Sequence, residues 1–313
     1  MFKGFLNRVL QVVLLLFFVS GLVFWLTSVL PGDPTFAIVG ETANEAEREL
    51  ARQQYGLDRP LVVQYADWLG RAVTGDFGRS LRGKTPVIEL LQQRLPVTLE
   101  LTALGILFAV AIGLPMGILS AKFRNSWIDV AANFGALTGM ATPFFWLGLL
   151  LIMFFAVRLH WLPASGYVRP TEDLVQNLRL MILPALTIGV AFAATLMRQT
   201  RASMLNVMSL DYIRTARAKG APERIVVLKH ALRNSLIPVI TVIGLQVGGL
   251  LGGAIVTENV FSLPGIGRLL VEGIYARDYP VIQGGLLFVV FAVVTVNLLT
   301  DSAYRLLDPR TRL

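Results

Sequence analysis

Residues 78–85 read Gly-Arg-Ser-Leu-Arg-Gly-Lys-Thr, formally the GxxxxGK[ST] spacing of a phosphate-cradling loop. In such a loop, backbone N–H groups and the lysine converge on nucleotide phosphates. The chemistry also requires a strand before the loop, a helix after it and an acidic strand to hold magnesium. No apolar strand-like run precedes residue 78, and no acidic strand follows it. The glycines are therefore expected to make a turn, with no nucleotide chemistry there. His160 and His230 are the only two imidazoles and cysteine is absent. The two histidines fall at opposite ends of apolar runs, so no metal cluster or nucleophile triad is expected. Serine and aspartate occur without a hydrolytic constellation.

A second pattern is mechanical. Between residues 197 and 238 lies a basic stretch with eight Lys/Arg (Arg198, Arg201, Arg214, Arg217, Lys219, Arg224, Lys229, Arg233) against Asp211 and Glu223. At its centre is Arg214-Thr215-Ala216-Arg217-Ala218-Lys219-Gly220. Small side chains at Ala216, Ala218 and Gly220 would let a partner approach the backbone, while Arg214, Arg217 and Lys219 would anchor it. Met204 to Lys219 has helical composition, Gly220 suits a left-handed stop, and Pro222 with Glu223 suits a new start. The expected form is helix, tight break, helix. The same residues would also suit an amphipathic helix on an anionic leaflet.

The elements that must position this loop are apolar. The chain is 313 residues long, 55% hydrophobic and 15% charged. Six stretches lack any charged side chain, at 9–30, 101–121, 130–157, 180–197, 235–257 and 279–300. About 20 helical residues cross a bilayer core, and continuous runs of this kind predict helices rather than a barrel. The expected fold is an all-α integral membrane protein with six transmembrane helices. The first run is longer than a signal-peptide core and lacks a small-residue cleavage site, so it is expected to be a retained anchor that ends at residues 30–34, Leu-Pro-Gly-Asp-Pro.

Charge orients the chain. With the N-terminus inside, segments 1–8, 122–129, 198–234 and 301–313 carry 15 Lys/Arg against five acids, and the outer segments carry 13 against 15. Both termini are expected on the cytoplasmic side. The net charge of +8 thus reflects membrane orientation, and no soluble basic domain is present for nucleic acid. Residues 31–96 form the one sizeable outer segment, with helices expected at 44–55, 61–73 and 85–95, packed as a cap on the bundle.

The spans offer no acid, His or Lys at mid-membrane depth. An ion-coupled secondary transporter, the alternative reading, needs such groups for its ion. In the fifth run, Gly244, Gly248, Gly249, Gly252 and Gly253 stand at small-xxx-small spacing, which permits close helix approach or lines a path. Thr241, Gln246 and Gly248 are the candidate path residues.

Seven motifs spread through the chain then carry a family resemblance. They are LPGDP at 30–34, YGLDRP at 55–60, GDFGRS at 75–80, YIRTARAKG at 212–220, LKHALRNSLIPV at 228–239, VFSLPGIGRLL at 260–270 and RDYPVIQ at 277–283. The chain resembles the permease subunits of dipeptide, oligopeptide, glutathione and nickel ABC importers, the first permease of the pair. The importer motif Glu-Ala-Ala-x3-Gly falls on Arg214, Thr215, Ala216 and Gly220, with its Glu and first Ala replaced.

The resemblance implies a type-I ABC permease fold in the bacterial inner membrane. It implies residues 1–30 as anchor helix, 31–96 as extracytoplasmic segment and 97–308 as permease domain, with 198–234 as coupling loop. The implied partners are a second homologous permease, two cytoplasmic ATPase subunits that carry ATP and magnesium, and an extracytoplasmic solute-binding protein that docks near 31–96. This chain would be a translocation subunit rather than an enzyme, in contact with lipid and with no cofactor or metal of its own. Two histidines and no cysteine offer no nickel-handling site, which favours peptides, while opines and oligosaccharides stay open.

Overall fold

In the computed structural model, residues 2–29, 33, 35–40 and 42–307 are described. They form α1 (Phe2–Val29), α2 (Thr35–Val39), α3 (Glu45–Gln54), α4 (Leu61–Val73), α5 (Val87–Lys122), α6 (Trp127–Ala141), α7 (Phe144–Leu151), α8 (Leu174–Met208), α9 (Asp211–Ala218), α10 (Glu223–Ile225), α11 (Leu232–Val260), α12 (Ile266–Ala276) and α13 (Tyr279–Leu307). Two π-helical stretches, Ile152–Arg158 and Val226–Ala231, continue α7 and α10. Among the described residues there is no β-sheet, only the isolated bridge between Arg79 and Pro86.

Five helices are long and apolar enough to cross a bilayer: Leu10–Val29, Val87–Lys122, Leu174–Met208, Glu223–Leu250 and Tyr279–Leu298. The sixth expected run is not one straight helix. It is α6 and the α7–π segment, bent by 107° at a short break. Pro143 causes the break: it cannot donate to the helix ladder, and it holds the preceding Thr142 extended at ψ 121°. Counted as one span, the bent pair completes six.

The chain divides into two compact units. The first comprises Met1–Thr98 and Pro264–Val294, the second Leu99–Leu263 and Thr295–Leu313. In the first unit, most of the turn expected at 30–34 lies outside the described residues. Asp33, which is described, accepts from the Thr35 amide at 2.9 Å and pairs with Arg52. Burial alone would raise its carboxyl, but the Thr35 and Arg52 donors hold it below the ordinary range. The expected outer helices form as α3 and α4. Asn44 and Glu47 close a capping box on α3, and Gly56 stops it at φ +67°. The third expected outer helix is the first part of α5, continuous with the membrane run. A core of Val87, Leu91, Ile266, Leu269, Leu270 and Val281 joins α5, α12 and α13. A 2.7 Å hydrogen bond from Gln283 to the buried Thr27 ties α13 to α1.

The second unit is organised by close approach of α5 to α8. A Cβ on Gly113 would lie 2.6 Å from the Ala193 carbonyl, and one on Gly117 would lie 2.7 Å from the Met197 carbonyl. Backbone cannot yield as a flexible side chain does, so these glycines set the spacing of the two helices. At one end of α8, Arg201 makes two hydrogen bonds to Asp129 of α6, at 2.7 and 2.8 Å. The same carboxylate accepts from Ser120, Asn133 and the Asn125 amide.

Gly113→Leu should lower stability by more than ~1–3 kcal/mol, because the obstruction is backbone. Gly252→Ala, where a Cβ meets nothing within 4 Å, should be neutral or slightly stabilising. Thermal unfolding of the purified protein in detergent compares the two, and equal losses would refute the close-approach account.

Candidate functional site

The basic stretch folds into a helical hairpin on the end of α8. That helix runs unbroken for 35 residues to Met208, so the hairpin is attached to a stiff rod. The helix expected from Met204 to Lys219 is divided at Ser209 and Leu210, and α9 begins with Asp211. Ile213 of α9 is fully buried in a small core with Ala121, Met204, Val226, Val227 and Ala231. The π-helical stretch supplies three of those residues.

The break between α9 and α10 closes in several ways at once. Gly220 adopts φ +77°, its amide donates to Arg217, and the Ala221 amide donates to Ala216 at 3.2 Å. Arg217 then grips Glu223 across the break through Nε at 3.1 Å and Nη2 at 2.8 Å. That hydrogen bond to Glu223 raises the Arg217 guanidinium further above its ordinary value. Pro222 stands just outside α10 as its N-cap, with ψ 142°, one position earlier than a first-turn proline. The Tyr212 hydroxyl accepts from Asn234 at 2.7 Å and donates to the His230 carbonyl at 3.2 Å, fixing the hairpin to α11.

This geometry sorts the seven sequence candidates. Ala216 is half-buried and packs inward against the hairpin core, and Arg217 is engaged by Glu223. Their small size and charge serve the hairpin itself. Arg214, Thr215, Ala218, Lys219 and Gly220 are exposed and form the outward face. Nothing lies within 4 Å of a Cβ on Gly220, so glycine is needed there for its backbone angle and not for room. The roles of Tyr212, Ile213 and Glu223 in holding the hairpin are not legible in the sequence. Ile213 is the lone apolar residue of its size in an eight-residue helix, too little for a periodic signal.

The path candidates on α11 do not converge. Thr241 and Gly248, seven residues apart, share a face, and Gln246 lies roughly 140° around the helix from Thr241. Thr241 donates to the Ile237 carbonyl of its own turn at 3.1 Å. Gln246 lines a cavity of about 10 Å³ with Ile106, Ala109, Phe192, Ile243 and Leu250, room for about one water. In the glycine row, Gly249 seats Phe192 and Gly253 seats Phe144, and the two rings stack at 6.4 Å. Gly244 meets Thr300 of α13.

The look-alike phosphate loop is a turn wrapped around an internal carboxylate. Asp278 accepts from the Ser80 hydroxyl and from the Leu81 amide at 3.1 Å. The Gly83 amide points to the Ser80 hydroxyl at 3.0 Å, and the Lys84 ammonium reaches the Tyr55 hydroxyl at 2.7 Å. The amides of Ser80, Leu81, Gly83 and Lys84 are thus engaged within the turn or by Asp278. Among the described residues no group of three or more His, Asp or Glu side chains could hold a metal.

Comparison with known proteins places the chain. Residues 113–313 match the family described as binding-protein-dependent transport system inner membrane component, and residues 1–102 match its N-terminal companion. The chain is 46% identical over 307 residues to the glutathione transport system permease protein GsiC of Escherichia coli strain K12, covering 98% of both chains. The GsiC of Shigella dysenteriae serotype 1 matches with the same identity and coverage. In fold it is similar to the MetNI methionine ABC transporter in inward-facing conformations, with TM-score 0.58, 20% identity, 70% of this chain covered and 96% of that one. The chain belongs to the inner-membrane components of binding-protein-dependent transport systems, with the fold of an ABC importer permease. Proteins of this family are translocation components rather than enzymes.

Asp278→Ala should strand the Ser80 hydroxyl and the Leu81 amide, at a cost of ~1.5–3 kcal/mol. Lys84→Ala, which removes an exposed cation–π contact and one hydrogen bond, should cost less than ~1 kcal/mol. Denaturation midpoints of the two purified variants test this, and a larger loss from Lys84→Ala would contradict the turn as described.

Proposed function

We propose that this chain is half of the translocation path of an ATP-driven importer for peptides or similar small solutes. A second, homologous permease completes the path. Two cytoplasmic ATPase subunits carry ATP and magnesium, and an extracytoplasmic solute-binding protein delivers the solute. The observation that carries the reading is the α9 hairpin. It is locked by Ile213 beneath, by the Arg217–Glu223 pair across its break and by Tyr212 against α11. Its outward face of Arg214, Thr215, Ala218 and Lys219 is left free for a partner. A helix that only rested on a lipid leaflet would present apolar residues outward, whereas the one large aliphatic side chain of α9 points inward. Glutathione is itself a tripeptide, which favours a peptide-like solute here as well. Thr241, Gln246 and Gly248 remain path candidates on this reading. Nothing observed supports the ion-coupled alternative.

Ala218→Trp is the sharper test of docking, because Gly220→Trp would also strain the left-handed backbone. The expected result is loss of most transport and weaker co-purification of the ATPase subunits, with the membrane level of the chain unchanged. Full transport with undiminished co-purification would refute docking at this face.

Orientation is tested separately in this cysteine-free chain. Cysteine at Glu49 should react with an impermeant maleimide in intact cells, and cysteine at Lys219 should react only after the cells are opened. Labelling at 219 in intact cells would reverse the proposed topology, in which both termini are cytoplasmic.

A further inference from the structure

We propose that α4 is a membrane-embedded helix, seated against α1 inside the bilayer, with its Val62–Val73 flank covered by lipid acyl chains. The two helices meet through a compact set of aromatic side chains. Tyr65 lies 5.4 Å from Phe24 and 6.4 Å from Phe17 between ring centroids, and Trp68 lies 5.9 Å from Phe24. The Tyr65 hydroxyl shares a 2.9 Å hydrogen bond with that of Ser20, which also donates to the Phe17 carbonyl at 2.7 Å.

These partners fix the depth of α4. The apolar span of α1 is Leu10–Val29, so Phe17, Ser20 and Phe24 belong to its middle and to the half that leads toward Asp33. At 1.5 Å per residue, Ser20 lies ~13 Å in from Val29, close to mid-bilayer. A helix whose tyrosine hydroxyl reaches Ser20 cannot lie in the aqueous phase beyond the headgroups. The pairing is also what lipid requires of Tyr65: the Ser20 proton goes to the Phe17 carbonyl, so the tyrosine hydroxyl, with no water nearby, finds its acceptor in the Ser20 oxygen.

The distribution of side chains around α4 fits that placement. One flank carries Tyr65 and the buried Trp68 onto α1. About 100° further round, Val62 and Val73 are 79% and 81% exposed. On α1 itself Phe18, Leu22 and Trp25 are 71%, 54% and 56% exposed, an apolar surface that a membrane helix turns to lipid. The remaining flank of α4 is polar and meets Arg59 in the turn that precedes the helix. Asp67 pairs with Arg59 at 3.3 Å, and Gln64 donates to the Arg59 carbonyl at 2.7 Å. The occupant of the valine flank is therefore acyl chain, continuous with the lipid around α1. A cap in water would leave two valines almost fully hydrated with nothing gained.

The test uses single cysteines at Val62, Val73, Phe18 and Glu49, each nitroxide-labelled in the assembled transporter reconstituted in liposomes. Collision with oxygen reports lipid, and collision with a water-soluble nickel complex reports the aqueous phase. Val62→Cys and Val73→Cys should follow Phe18→Cys, with an oxygen-to-nickel ratio several-fold above that at Glu49→Cys. A ratio at 62 and 73 equal to that at 49 would overturn the proposal. Exclusion of both reagents from 62 and 73 would overturn it too, by showing a protein occupant instead of lipid. Tyr65→Phe supplies an independent arm: it should raise nickel-complex access at the labelled positions by loosening α4 from Ser20, and unchanged access would contradict the depth assignment.

Discussion

A buried charge persists only with its opposite beside it, and Asp129 with Arg201 is where this chain meets that condition. The carboxylate takes two donors from Arg201, one each from Ser120 and Asn133, and the amide of Asn125. Its side chain is 6% exposed. Removing one partner of such a pair typically costs ~3–5 kcal/mol, because the survivor is left buried and uncompensated. The consequence is geometric. The end of α5, the start of α6 and the last turns of α8 are tied at one point, two turns before α8 gives way to the hairpin.

Rigidity along α8 comes from a different source. Leucine offers no hydrophobic advantage over lipid, so α5 and α8 hold together through backbone proximity at Gly113 and Gly117 rather than through large side chains. Pro184 in α8 and Pro238 in α11 are carried without a break, each within a continuous helix. Pro143 behaves otherwise because Thr142 before it takes an extended conformation and Phe144 restarts the helix.

These contrasts show what could be read from the residues alone. Charge-free runs of helical length announce membrane helices because a helix satisfies its backbone in lipid and a continuous apolar run does not fit the alternating strands of a barrel. Sharp stops such as Gly56 and Gly220 announce themselves by a residue that tolerates positive φ. The α4 boundaries follow from an amphipathic pattern. The bend at Pro143 was hidden because composition does not distinguish a proline that kinks a helix from one that ends it. The π-helical stretches at Ile152–Arg158 and Val226–Ala231 were hidden because a one-residue register slip leaves apolar composition unchanged. Asp129 was legible only as a charge to be counted, since its partner lies 72 positions along the chain.

The candidate site shows how pairing decides which charges remain available. Eight basic residues crowd the stretch that contains the hairpin, yet Arg201 is neutralised by Asp129 and Arg217 by Glu223. Arg214 has only Asp211 at 3.5 Å, a pair 75% and 95% exposed and therefore worth little in water. What α9 offers outward is thus two weakly engaged cations, Arg214 and Lys219, flanking the small Thr215 and Ala218. Charge and small side chains face outward, while the residues that hold the helix in shape face the other way. Ala216 illustrates the division: half-buried, it packs inward against the core that holds Ile213 and Val227, while Ala218 two positions on faces outward.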